Sequence, residues 1–182
     1  MLYYVCSGGD FLGDVFKEQL VKRAVTGKDT AKRFGIVALA VIIFFFCLYI
    51  PYVQQVAVFI AAALIFGAYV LITRQNIEYE YSFTNGDLDI DIIYNKSRRK
   101  RLFSSSVKDF EIMAPVQDTA HSHELSSAAE TKDYSSGIVG PNTYAFITPY
   151  KGKRLKIIIE PNEMMIKAFS TVLTPRKLIK KF

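Results

Sequence analysis

From Phe34 to Ile72 the chain runs 39 residues without a lysine, arginine, aspartate, glutamate or histidine. No element of a water-soluble core needs so long an uncharged run, and about 20 apolar residues suffice to cross a bilayer. As one helix the run would be roughly 58 Å long, about twice the hydrocarbon thickness, so it has to fold back on itself. Pro51, Gln54 and Gln55 mark the place, as the only helix breaker and the most polar side chains of the run. The expected element is a transmembrane helical hairpin over 34–73, with arms at about 34–50 and 56–72. Each arm would be about 25 Å long, slightly short for a span, so a hairpin dipping into one leaflet is the competing geometry. Tyr49 and Tyr52 sit where an aromatic belt would anchor the turn. Ala63 and Gly67 form a small-xxx-small pair that lets two helices approach closely.

Charge sets the orientation. Lys28, Lys32 and Arg33 precede the first arm, Arg74 follows the second, and the turn carries none. Positive residues stay inside, which predicts a multi-pass protein of the cell membrane with both termini cytoplasmic. The two cysteines, Cys6 and Cys47, form no disulfide framework, in keeping with a reducing compartment. A secretory signal is not expected: the apolar run starts after 33 residues and is too long for one.

Residues 1–33 read as a cytoplasmic N-terminal segment with an amphipathic helix. Phe11, Leu12, Val15, Phe16, Leu20 and Ala24 fall on one helical face, and Asp14, Lys17, Glu18, Lys22 and Arg23 largely on the other. Such a helix either lies in the membrane interface or packs on the domain that follows.

After Arg74 the pattern becomes alternation. Ile77, Tyr79, Tyr81 and Phe83 alternate with polar residues, Asn85-Gly86 supplies a type I′ turn, and Leu88, Ile90, Ile92 and Tyr94 alternate with Asp87, Asp89 and Asp91. A basic turn over 95–101 leads to an expected strand at about 102–107, and another is expected at about 109–114. Residues 115–142 are small and polar and read as a long mobile loop, with a short strand near 134–139. Strands at 144–148 and 154–160 flank a tight Lys151-Gly152 turn. A helix then opens at Asn162, a good N-cap, and carries the apolar stripe Met165, Ile166, Phe169, Val172 and Leu173. The apolar residues of 75–182 follow periods that can close one core by themselves.

Six or seven antiparallel strands and a final amphipathic helix resemble a pleckstrin-homology-like (PH-like) domain, a barrel-like sheet plugged by its last helix. The stretches 81–88 (YSFTNGDL), 96–101 (KSRRKR) and 107–112 (VKDFEI) look like the opening strands of bacterial PH-like membrane proteins. The chain is similar, over about 34–174, to a family of two-helix proteins of Gram-positive anaerobes. The resemblance implies an α+β membrane protein: a two-helix transmembrane hairpin, then over 74–182 a cytoplasmic PH-like antiparallel β-barrel or sandwich with a C-terminal capping helix. It brings no catalytic residue with it.

Two cationic clusters are the sharpest chemical features: Lys96, Arg98, Arg99, Lys100 and Arg101, and Lys151, Lys153, Arg154 and Lys156. On turns they would reach outward together and attract anionic lipid headgroups, at about 1 kcal/mol per cation near the surface; PH-like domains often use basic turns this way. The alternative is a solvated face whose cations lie beside Asp87, Asp89 and Asp91. Residues 74–182 hold 17 basic and 13 acidic side chains, so the domain is not uniformly basic. Nucleic acid is a poor fit, since the cluster lacks interleaved aromatics. His121, His123, Glu124 and Asp118 lack the scaffold a metal site needs. No nucleophile motif, phosphate loop or dinucleotide glycine pattern occurs. The reading is a non-enzymatic integral membrane protein, without cofactor or metal, presenting a module that binds a protein partner, a second copy or inner-leaflet lipid. An accessory subunit of a larger membrane complex is the alternative, and a membrane-bound enzyme the remaining class.

Overall fold

The structure, a computed structural model, describes residues 15–175 and 177–179. Cys6, Phe11, Leu12, Asp14 and Arg176 lie outside them. The chain divides into two units: residues 25–77, and the segments 1–24 and 78–182 together.

The first unit is helical. Helix α1 spans Gly27–Leu48 and α3 spans Ala57–Thr73, with a single helical turn, α2, at Pro51–Gln54. The reversal therefore falls where Pro51 and the glutamines mark it. The Gln54 side chain donates to the Leu48 carbonyl (2.5 Å), satisfying an acceptor left open at the end of α1. Helix α1 begins seven residues before the uncharged run because Thr26 caps it: the Asp29 carboxylate accepts from the Thr26 backbone N–H (3.1 Å) and hydroxyl (2.8 Å). Helices α1 and α3 pack on each other. At the open end of the pair Arg33 donates to Asn76 (3.1 Å). No residue of either long helix is buried, and Val58 and Phe59 are 80% and 76% exposed. Helix α1 is long and apolar enough to cross a membrane; α3, at 17 residues, is shorter.

The second unit is a sandwich of two four-stranded sheets. One has the order β1-β2-β3-β4, from Phe16–Lys22, Ile77–Thr84, Asp87–Tyr94 and Arg98–Ser106. The other has the order β5-β7-β8-β6, from Ile112–Pro115, Tyr144–Tyr150, Lys153–Ile159 and Glu130–Asp133. Pairing is antiparallel except for β6 on β8. The β2–β3 hairpin turns at Asn85 and Gly86, both at positive φ (51° and 102°), as a type I′ turn requires. Helix α5, Glu163–Val172, opens as expected, with the Asn162 side chain accepting from the Met165 N–H (2.8 Å).

Aromatic rings fill the space between the layers. Phe110 stacks on Phe146 with centroids 4.0 Å apart, Phe103 of β4 meets Phe146 of β7 at 5.9 Å, and Phe83 meets Phe169 of α5 edge-on at 5.5 Å. The Tyr81 hydroxyl is buried among them. It donates to the Tyr134 carbonyl (2.6 Å) and accepts from the Glu160 N–H (3.3 Å).

Three expectations are corrected. The segment 16–22 is not an amphipathic helix but strand β1, paired with β2 from Phe16↔Thr84 to Lys22↔Glu78. It buries Gln19 and Val21 and leaves Phe16 and Leu20 exposed. The boundary at residue 33 moves accordingly: the β unit begins before the helices, which are inserted between two of its paired strands. Next, the basic stretch is not a turn. The turn closes at Asn95 and Lys96, both at positive φ, and β4 starts at Arg98, because its arginines find carboxylates on β3 and, one strand further, on β2. Finally, 115–142 is not one loop. It holds helix α4 (Ser122–Ser126), whose Leu125 is buried against Ile112, Ala114, Ala145 and Ile147, and strand β6, four residues earlier than the expected strand.

Without β1, the 75–182 fragment would leave the β2 edge open and the inner layer short of Gln19 and Val21. We expect 75–182 alone to show no cooperative urea transition, its deficit being comparable with a small domain's whole stability of about 5–15 kcal/mol. Residues 1–24 joined to 75–182 through a short glycine-serine linker should unfold cooperatively. Equal behaviour of the two fragments would contradict the strand assignment.

Candidate functional site

Strand alternation divides the first basic cluster. Arg99 and Arg101 stand on the outer face of the first sheet, where Arg101 lies opposite Asp91. Arg101 binds Asp89 (2.7 Å) and Asp91, and Arg99 binds Glu80 (2.8 Å). Arg98 and Lys100 point to the other face, opposite Tyr94 and Ile92, at the sheet's end. Lys96 occupies the turn. The second cluster belongs to the other sheet. Lys151 sits in the β7–β8 turn, 5.2 Å from the Tyr150 ring. Arg154 is tied to Glu111 (Nε to Oε2, 3.1 Å). Lys153 and Lys156 lie along β8. Three of the nine candidate cations are thus neutralised by carboxylates; among the described residues Lys96, Arg98, Lys100, Lys151, Lys153 and Lys156 enter no ion pair.

The histidines do not converge. The His121 ring Nδ1 lies 2.8 Å from Asp118, which this bond holds below its ordinary carboxylate value, and His123 is exposed on α4. Among the described residues no group of three or more metal-ligating side chains comes together.

A concave feature of the unit lies elsewhere. A groove of about 1040 Å³ follows β1 and opens toward the start of α5, lined among others by Glu18, Leu20, Glu80, Arg99, Asn162 and Met164. Gln19 fixes its geometry. The side-chain amide of Gln19 donates to the Glu160 carbonyl (2.7 Å) and accepts from the Asn162 N–H (2.7 Å), binding β1 to the junction of β8 and α5 on either side of Pro161. Proline has no N–H to offer there, so a side chain with one donor and one acceptor completes the main-chain pairing. Such a bond contributes about 1 kcal/mol, and leaving buried main-chain groups open costs more.

Glu80, 6% exposed, stands in the groove. Burial pushes its carboxyl above the ordinary 4.5; Arg99 opposes the shift, and Glu18 and Asp91 add to it. The nine cations drew attention by type and clustering, whereas Gln19 and Glu80 did not stand out. Their only signal was position: a polar residue between Lys17 and Val21 on what proves to be the inner face, and an acid at the middle of an alternating strand.

The profile of a family described as "Bacterial PH-like domain (DUF6106)" matches residues 13–180. The matched residues include β1 and both long helices. No curated protein matches the chain significantly. No solved structure does so either.

The folded protein holds the Glu80 proton more tightly than the unfolded chain does. Wild-type stability should therefore fall, relative to a non-titrating Glu80→Gln variant, as pH rises from the ordinary glutamate value through the raised one. Thermal unfolding of the detergent-solubilised chains at about pH 4 and about pH 7.5 should show the variant gaining on the wild type at the higher pH. A difference in Tm independent of pH would contradict this.

Proposed function

We propose, starting from the fact that the chain belongs to the bacterial PH-like domain family, that it is a non-enzymatic integral membrane protein whose β unit is a cytoplasmic binding or scaffold module. The observation that carries this reading is the exposure of the two long helices. Thirty-nine uncharged residues make up most of them and all of their turn, and neither helix buries a residue. Lipid is the solvent that such a surface fits, since exposed apolar patches beyond a few hundred Å² are rare in soluble monomers. Helix α1 is about 33 Å long and α3 about 25 Å; tilt and local thinning accommodate the difference.

Orientation follows from Lys28, Lys32, Arg33 and Arg74 at the open end of the pair and from the uncharged reversal at 49–56. Within the module a protein partner is the better-supported ligand. Of the four candidate arginines, the planar cations best suited to phosphate, Arg99, Arg101 and Arg154 are already occupied by carboxylates.

Single cysteines placed at Gln55 and at Ser126, in a chain lacking Cys6 and Cys47, test the topology. Gln55→Cys should react with an impermeant maleimide added to intact cells, and Ser126→Cys only after the membrane is opened. Protection of both would overturn the spanning hairpin in favour of one that enters a single leaflet.

A further inference from the structure

We propose that the groove along the free edge of β1 is the docking site for an extended basic segment of a partner protein, which adds a fifth strand to the first sheet and sets a lysine or arginine side chain against Glu80. The proposal rests on the reading of the β unit as a binding module and is independent of how the helices meet the membrane.

Three observations converge. First, β1 is an edge strand. Its pairing runs to β2 alone, and among the described residues no main-chain bond joins residues 16–22 to any other element. An edge of this kind presents main-chain donors and acceptors to any extended chain that can reach it. Seven residues at about 3.3 Å each give a ladder roughly 23 Å long. The β5 edge is less open: Met113 exchanges main-chain bonds with Lys177 (2.7 Å) and Ile179 (2.8 Å).

Second, the groove contains a carboxylate with an open oxygen. Glu80 is more than nine-tenths buried. The Nη2 of Arg99 lies 2.8 Å from each of its oxygens but donates its hydrogen bond to Oε1, and Oε2 is buried without one. A buried acceptor left open carries a cost that an incoming N–H donor removes. An ammonium or guanidinium supplies that donor together with the charge.

Third, the lining has the opposite sign to the protein. Five glutamates face three cations around the groove, whereas the whole chain carries a net charge of +6. Anionic headgroups and nucleic acid are disfavoured there for the same reason that a basic segment is favoured. Leu20 and Met164, 40% and 42% exposed, add apolar footholds on the walls. The complementary ligand alternates basic and apolar side chains.

The probe is a seven-residue peptide alternating lysine and valine, with a glutamate-valine twin as control, added to the full chain in zwitterionic nanodiscs. The basic peptide should bind about tenfold or more tightly than its twin, and the preference should shrink as salt rises. Hydrogen exchange at 16–22 should slow on binding, with no slowing along β4. Glu80→Gln keeps the shape of the side chain and should weaken binding about tenfold; Glu18→Lys, at a half-buried position on the groove wall, should also reduce it. Equal affinity for the two peptides, protection confined to another edge, or an unchanged affinity in both variants would overturn the proposal. So would β1 amides already protected from both faces by self-association, which would make a second copy the occupant. None of these outcomes bears on the cysteine-accessibility test, so failure of the groove and failure of the membrane reading are told apart.

Discussion

The pairing of β1 with β2 is the constraint on which the rest of the β unit depends. The two strands are neighbours in the sheet but are separated in sequence by the whole helical unit. A flexible insertion of that length would burden the ladder with a closure entropy that grows as the logarithm of loop length. Here the insertion is not flexible. Helices α1 and α3 pack together, and Arg33 and Asn76 hold the two chain ends of the pair within hydrogen-bonding distance. Folding of the hairpin therefore reduces the entropy still to be lost before Lys22 can lie opposite Glu78. Any change that separates α1 from α3 loosens this restraint on the pairing of β1 with β2.

Gln19 makes β1 an integral part of the core rather than an added edge. One buried amide joins the strand to the end of β8 and the start of α5, while Tyr81 on the adjoining strand ties to the same Glu160 and to Tyr134. The first sheet, the last strand and the capping helix are thus linked by side-chain to main-chain bonds around one proline. On the outer face the same sheet carries Glu80, Asp89 and Asp91 against Arg99 and Arg101. These exchanges occupy two of the cations that sequence clustering makes conspicuous, and Glu111 occupies a third, Arg154. What remains is an acidic groove on a basic protein.

How much of this was legible depended on whether the responsible contacts were local. The uncharged run, the reversal at Pro51, the Asn85-Gly86 hairpin and the Asn162 cap are set by residues within a few positions of each other, and the structure has each of them. Strand β1 was illegible because its partner lies across the helices. With seven residues and apolar side chains at Phe16, Leu20 and Val21, helix and strand periods fit equally well, and the residue that decides between them, Gln19, is polar. Strand β4 was hidden by its charges: Arg98 to Arg101 resemble a solvated turn until the carboxylates opposite are in register. In 115–142 a single leucine, Leu125, anchors helix α4, and one apolar residue in a polar stretch gives no period to read.

Hydrogen exchange of the full chain in nanodiscs, without any added ligand, tests the central claim most directly. If β1 completes the sheet across the helical insertion, amides of 16–22 that face β2 should exchange as slowly as those of 77–84, and both sets should open together with rising denaturant. Amides of 16–22 exchanging orders of magnitude faster than those of 77–84 would mean that the segment before the helices is no part of the sheet, and the account would fail.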